Sequence, residues 1–273
     1  MNIILYCLLF IIGTLFGSFC TLAVYRIPLD QDITHKRSYC PNCNHKLGFW
    51  DMIPILSYIF LGGRCRYCHK KIRMRYLLIE VFSGVIFTLL GLSINLNIFN
   101  LSTSIITYTI FALLYIVGLF LIAGIDKEKI QIRNEVLLYL VIVEVMYIIY
   151  LYIIEKTNIY RYVIYLFVLL ALVVLNNIYM IRKLKNYYVL QIIILVIIMM
   201  LFTYEFCTIL TIACTLAAIG ISSLIKIINS KRHKCIKTNK NELKEINIPI
   251  AFYLSVSNII MLIITNTLAF YRG

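Results

Sequence analysis

The chain has 273 residues, of which 62% are hydrophobic and 14% are charged, and its mean hydropathy is +0.91. One soluble core cannot bury this much apolar surface, which excludes an ordinary water-soluble globular domain. The formal net charge of +14 is typical either of nucleic-acid binding or of contact with anionic lipid, and the positions of the basic residues distinguish the two.

Eight apolar stretches are long enough to cross a bilayer, which takes about 17 to 25 residues. A short hinge near Glu205 separates the sixth from the seventh. The first stretch lacks a preceding basic region and a small-residue cleavage site, so we expect a retained helix and not a signal peptide. The sequence therefore predicts an all-α, polytopic membrane protein. The stretches lie at 3–25, 77–97, 102–125, 136–154, 162–181, 187–204, 206–228 and 248–270.

The basic residues lie almost entirely on one predicted side of the membrane. Segments 26–76, 126–135, 182–185 and 226–247 hold 23 of the 26 Lys and Arg residues. The positive-inside rule then places this side in the cytoplasm and both termini outside. Contact with anionic lipid headgroups accounts for the excess charge, so we expect membrane lipids and no nucleic acid as partners.

Four cysteines form two CxxC pairs in the first predicted cytoplasmic segment, where thiols stay reduced. Each pair can place two thiolates on one tetrahedral ion, and closing that site stabilises a segment with little core of its own. We expect a structural Zn²⁺ site, with incidental or redox-active cysteines as the alternative. His45 and His69 lie nearby but are not needed as ligands. The expected ligands are Cys40, Cys43, Cys65 and Cys68.

Several stretches carry a resemblance to a known family. They are GSFCTLAVYRIP at 17–28, DMIPILSYIFLGGRCRYC at 51–68, RYLLIEVFSG at 75–84 and, more weakly, IDKEK at 125–129 and NIPIAFYLSVSN at 247–258. With these motifs the chain resembles the bacterial type IV prepilin peptidases, although Thr21 stands where the family usually has Asn.

The resemblance implies two regions and two activities. Residues 1–84 would form a methyltransferase-associated region with the cysteine loop, and residues 85–273 a transmembrane bundle like that of the family's aspartic peptidases. Such proteins remove the leader of prepilins or pseudopilins at the cytoplasmic face of the inner membrane. Many also methylate the new N-terminus with S-adenosylmethionine.

The family's peptidase uses two aspartates, and only one is evident here. Asp126 matches the first. The second ends a GxGD motif in the family, and by order and spacing KLKNYYVL at 183–190 takes its place, with Asn186 at the aspartate position. An amide cannot share or release a proton as a carboxyl dyad does, so we expect impaired proteolysis. The alternative role for Asp126 is a helix cap.

The chain offers no other Asp in its last 147 residues, so a replacement acid would have to be a glutamate. We expect Glu128 and Glu135 to be solvated loop charges and Glu205 to lie on the outer side. Glu144, deep in a span, is expected to be protonated and hydrogen-bonded to another helix.

Glu80 has two open interpretations. It is either a substrate-site or methyl-transfer residue, and so a candidate for the cofactor site, or the partner of a basic loop side chain.

Three functions follow from these patterns. The first is an active peptidase with a diverged second motif. The second is a catalytically impaired paralogue that binds prepilin or only methylates it. The third, a small transporter with a zinc knuckle, leaves the first 84 residues unexplained.

Overall fold

The computed structural model describes residues 2–33, 37–97, 99, 102–154, 160–181, 187–234 and 248–272, and this part of the chain is mainly α-helical. Seven of its helices are long and apolar enough to cross a membrane. The predicted all-α, multi-pass architecture is confirmed. The helices are α1 (Asn2–Arg26), α2 (Leu56–Phe60), α3 (Met74–Ser93), α4 (Thr103–Lys129), α5 (Asn134–Ile153), α6 (Tyr160–Ile181), α7 (Tyr187–Lys234) and α8 (Ile250–Arg272).

The chain divides into two compact units. The first comprises Met1–Gly124 and Ile263–Gly273, and the second comprises Ile125–Leu262. The division between residues 84 and 85 predicted above concerns the family's two activities and stays a prediction.

Close packing of α1 against α3 dominates the first unit. Gly13 and Gly17 are spaced as in a GxxxG motif, which lets two helices approach closely within a membrane. A Cβ atom at Gly13 would lie 2.7 Å from the Ser83 carbonyl oxygen, and one at Gly17 would lie 2.9 Å from the Glu80 Cα. Any side chain larger than hydrogen at these positions would push the helices apart.

The second unit has its core around α7. Both α5 and α6 pack against this helix, and Leu140, Leu169, Ile194, Leu195 and Ile198 are almost completely buried. Burial of such side chains against their neighbours, rather than helix propensity, fixes how the helices are arranged.

The predicted sixth and seventh spans fall within α7. Its apolar part, Tyr187–Ile225, would measure about 58 Å as one straight helix, about twice the thickness of the hydrocarbon core. The backbone leaves the helical region at Tyr204, with φ 65° and ψ 161°. This break lies next to the hinge predicted at Glu205, and the segments on either side are each long enough to cross the bilayer.

Candidate functional site

The two CxxC pairs form two equivalent turns. In the first, the Cys40 N–H donates to the His45 carbonyl at 3.0 Å and the Asn44 N–H donates back to the Cys40 carbonyl at 2.8 Å. In the second, Cys65, His69 and Lys70 make the same two bonds, each at 3.0 Å. Asn44 and His69 both have a left-handed backbone, with φ of 56° and 55°. The repeat in sequence thus builds two matching knuckles.

The knuckles bring the four predicted cysteines together. Their Sγ atoms all lie within 4.8 Å of one another, and those of Cys40 and Cys68 are 3.9 Å apart. A tetrahedral ion with Zn–S bonds of about 2.3 Å requires sulfurs about 3.8 Å apart, so the cluster fits Zn²⁺.

Two hydrogen-bond donors favour the thiolate form of Cys68. The Lys70 backbone N–H and the Asn42 side chain lower the pKa of Cys68 to about 6, and the Asn42 Nδ2 lies 3.5 Å from its sulfur. His45 stacks on Tyr67 with ring centroids 3.6 Å apart. In the described residues, the cluster that could hold a metal contains cysteines only.

Glu80 binds a strained backbone segment. Its Oε2 accepts the Ile55 N–H at 2.8 Å, and the Ser18 side chain is a second hydrogen-bond partner. Ile55 has φ 61° and ψ −54°, and the Leu56 N–H donates to the Pro54 carbonyl at 2.6 Å. This is a γ-turn of the rare positive-φ form, which is costly for a β-branched residue. The carboxylate holds it in place.

Asp126 is completely buried near the end of α4. Its Oδ1 accepts the Tyr188 hydroxyl at 2.7 Å, and its Oδ2 accepts the Phe252 backbone N–H at 2.8 Å. The Ala251 N–H donates to the Tyr188 oxygen at 3.4 Å. Because α8 begins at Ile250, the carboxylate caps amides of its first turn and faces the positive end of its dipole.

Asp126 thus accepts a hydrogen bond from the first turn of α8, a helix distant in sequence. Asn186, the predicted position of the second acid, lies outside the described residues. Tyr188, two residues further on, meets Asp126 directly. Sequence reasoning missed Tyr188 and the α8 amides, and the only local signal was the match of NIPIAFYLSVSN to a helix start.

The glutamates considered as replacement acids lie elsewhere. Glu128 and Glu135 are exposed, and Arg133 pairs with Glu135 at 3.1 Å. Glu205 pairs with Arg161 at 2.7 Å. Glu144 is fully buried as expected, but neither carboxyl oxygen has a hydrogen-bond partner in the described structure, so the expected bond to another helix is not seen.

A second polar cluster was not predicted. The Asn134 Oδ1 accepts the Gln191 side-chain amide at 2.8 Å and the Asn176 amide at 3.0 Å, which ties the start of α5 to α6 and α7. Gln191 lies three residues after Tyr188, so both project from one side of α7. Isolated amides within apolar spans were the available signal.

Comparison with known proteins finds a family match for the N-terminal region. Residues 11–94 match the model of the Bacterial Peptidase A24 N-terminal domain. The prepilin leader peptidase/N-methyltransferase of Myxococcus xanthus is 44% identical over 79 residues, covering 29% of this chain and 24% of the relative. The predicted resemblance is confirmed.

Two further relatives carry the same name. That of Vibrio cholerae is 34% identical over 141 residues, covering 41% of this chain and 56% of the relative. That of Bacillus subtilis is 33% identical over 134 residues, covering 48% and 50%. The matches thus span about a quarter to about half of the length of these prepilin peptidases. No solved structure matches this chain.

Proposed function

We propose that this protein acts on type IV prepilins or pseudopilins at the cytoplasmic face of the inner membrane, as a protein of the leader peptidase/N-methyltransferase type. The match over residues 11–94 carries the proposal, and it includes the four cysteines and Glu80. The predicted orientation, with both termini outside the cytoplasm, puts the cysteine module and the end of α4 on the side where leaders are cut.

In the peptidase reaction two carboxyls share one proton: one activates a water molecule, and the other protonates the scissile carbonyl. Asp126 would supply one of them. Its burial near the membrane edge supports this role, since water exclusion strengthens electrostatic effects on the reacting groups. In the described structure the hydrogen-bond partners of the Asp126 carboxylate are a phenol and a backbone amide, so the second carboxyl of such a pair is not identified among them.

The second candidate is a protein that binds prepilin, or only methylates it, without cutting. One observation favours it: both carboxylate oxygens of Asp126 already accept hydrogen bonds from this chain. With one oxygen bonded to a phenol and the other to a helix amide, the carboxylate serves as a structural anchor between α7 and α8. Asn186 at the expected position of the second acid supports the same interpretation.

The four cysteines would hold a structural Zn²⁺, which would close the loop between α1 and α3 and contribute folding free energy. The candidate site at Glu80 fits S-adenosylmethionine poorly. Glu80, the only candidate residue, already binds Ile55 and Ser18, so we derive no methyl-transfer step.

A cleavage assay distinguishes the two candidates. The protein in nanodiscs is incubated with a prepilin from the same cell, alongside Asp126→Asn and Asn186→Asp, and intact mass is recorded. Leader loss that disappears in Asp126→Asn supports the peptidase. Leader loss only in Asn186→Asp supports the impaired paralogue and locates its defect.

The control is a confirmed peptidase acting on the same prepilin. If it cuts while the native protein and both variants leave the mass unchanged, leader cleavage is excluded for that prepilin. An unchanged mass of the already cut pilin, incubated with the native protein and S-adenosylmethionine, would exclude methylation as well.

A further inference from the structure

The cysteine module carries an exposed apolar face, which we call the aromatic face: Phe49, Trp50, Ile59 and Phe60. These side chains are 71%, 74%, 61% and 83% exposed. The Phe49 and Trp50 rings meet edge to face with centroids 6.0 Å apart. Helix α2, which carries Ile59 and Phe60, packs beside the 3₁₀ turn Phe49–Met52. Large apolar side chains grouped in this way mark an interaction surface.

The position of the face relative to the membrane follows from Glu80. The carboxylate that binds Ile55 lies six residues after Met74, where α3 begins, or about 9 Å along the helix axis. Its other partner, Ser18, lies eight residues before Arg26, where α1 ends, or about 12 Å. Both helices are long and apolar enough to span the membrane. The Ile55 turn therefore lies alongside the two spans and not beyond their cytoplasmic ends.

The turn links the two parts of the aromatic face. Trp50 precedes it in the 3₁₀ helix, and α2 begins directly after it at Leu56, which is 49% exposed. A positive-φ isoleucine persists only where its surroundings hold it. Here the hydrogen bond to Glu80 fixes the turn. The flanking aromatic residues are therefore held at a fixed position along the axes of α1 and α3.

Charge in the same module matches a lipid surface. Arg64, Lys71 and Arg73 follow α2 and are exposed. Lys and Arg near the cytoplasmic leaflet are attracted to its anionic headgroups by about 1 kcal/mol each. Tryptophan and phenylalanine beside such cations are typical of segments that lie in the membrane interface.

We propose that the aromatic face docks the cysteine module onto the anionic cytoplasmic leaflet, with Trp50, Ile59 and Phe60 inserted among the headgroups and upper acyl chains. The occupant is lipid rather than a protein partner, because the turn that links the two parts of the face is hydrogen-bonded to Glu80 within the α3 span and the same module carries exposed cations. Docking would hold the metal module at a fixed height, whether or not the protein cleaves prepilin.

Trp50 is the only tryptophan in the chain, so its fluorescence tests the proposal directly. The full-length, metal-loaded protein is placed in nanodiscs of phosphatidylcholine and phosphatidylglycerol, with or without phosphatidylcholine brominated near the top of its acyl chains. We expect bromine to lower the Trp50 emission by about twofold, with a blue-shifted maximum and protection from aqueous acrylamide. Emission unaffected by bromine and readily quenched by acrylamide would overturn the proposal.

Matched variants identify the surface. The double variant Ile59→Ser/Phe60→Ser should lose most of the bromine quenching. Leu29→Ser should keep it, because Leu29 is exposed in the 3₁₀ turn that follows α1 and lies outside the face. Unchanged zinc content shows that each variant is folded in this module. If added prepilin changes the Trp50 emission and brominated lipid does not, the face binds substrate and the lipid proposal is wrong.

Discussion

The Tyr188–Asp126 hydrogen bond predicts a measurable loss of stability in Tyr188→Phe. The substitution keeps the ring and deletes the hydroxyl that donates to Asp126 over 2.7 Å. A hydrogen bond to a charged group contributes about 1.5–3 kcal/mol. The same hydroxyl accepts the Ala251 N–H, but at 3.4 Å this bond adds little. We therefore expect the free energy of unfolding to fall by about 2 kcal/mol.

Thermal unfolding in detergent, followed by circular dichroism, measures this loss. For a chain of this size about 2 kcal/mol corresponds to a fall in Tm of about 4–8 °C. Tyr187→Phe is the matched control, because it removes the same hydroxyl from the neighbouring residue, and in the described structure the phenol bound to Asp126 is that of Tyr188. Equal Tm values for the two variants would refute the inferred anchoring of Asp126.

A double-mutant cycle separates this bond from general effects of either change. Asp126→Asn removes the charge, and its combination with Tyr188→Phe should cost less than the sum of the two single changes, since both disrupt one interaction. Strict additivity would show that the two side chains are not coupled.

The remaining predictions concern the cysteine module and the α1–α3 contact. Cys40→Ser should abolish bound zinc, measured by elemental analysis, whereas Cys207→Ser, a buried cysteine outside the cluster, should keep it; equal zinc in both would contradict the ligand set. Glu80→Ala should release the strained turn, so that limited proteolysis cuts within residues 53–61 faster than in the native protein; unchanged cutting would show that the carboxylate does not hold the turn. Gly17→Leu should overpack α1 against α3 at a cost of about 1–3 kcal/mol in stability, seen as a lower Tm. Gly220→Ala should leave Tm near the native value, because an added Cβ meets nothing within 4 Å there. Similar Tm values for the two variants would contradict the close packing of α1 and α3.

The sequence predicted the features that depend on local spacing. A CxxC pair places two thiolates in one turn, so the spacing alone was enough to group Cys40, Cys43, Cys65 and Cys68 as one set of ligands. Long apolar runs likewise predicted the spans, since the bilayer fixes their length. The same span lengths predict a hinge near Glu205, next to the break that the structure has at Tyr204.

The partners of the Asp126 and Glu80 carboxylates could not be predicted in this way. Asp126 is bound by side-chain and backbone groups 62 and 126 residues away, and only packing of α4, α7 and α8 brings them together. Glu80 binds a backbone amide, which every residue except proline possesses, so nothing in the sequence marks Ile55.

We propose that this protein recognises prepilins, and a binding measurement tests this proposal most directly. A prepilin from the same cell and an unrelated single-span membrane protein, both labelled, are presented to the native chain in nanodiscs, and the retained fraction of each is measured. We expect clear retention of the prepilin, with or without processing, and little retention of the control. Retention of the prepilin no greater than that of the control would contradict it.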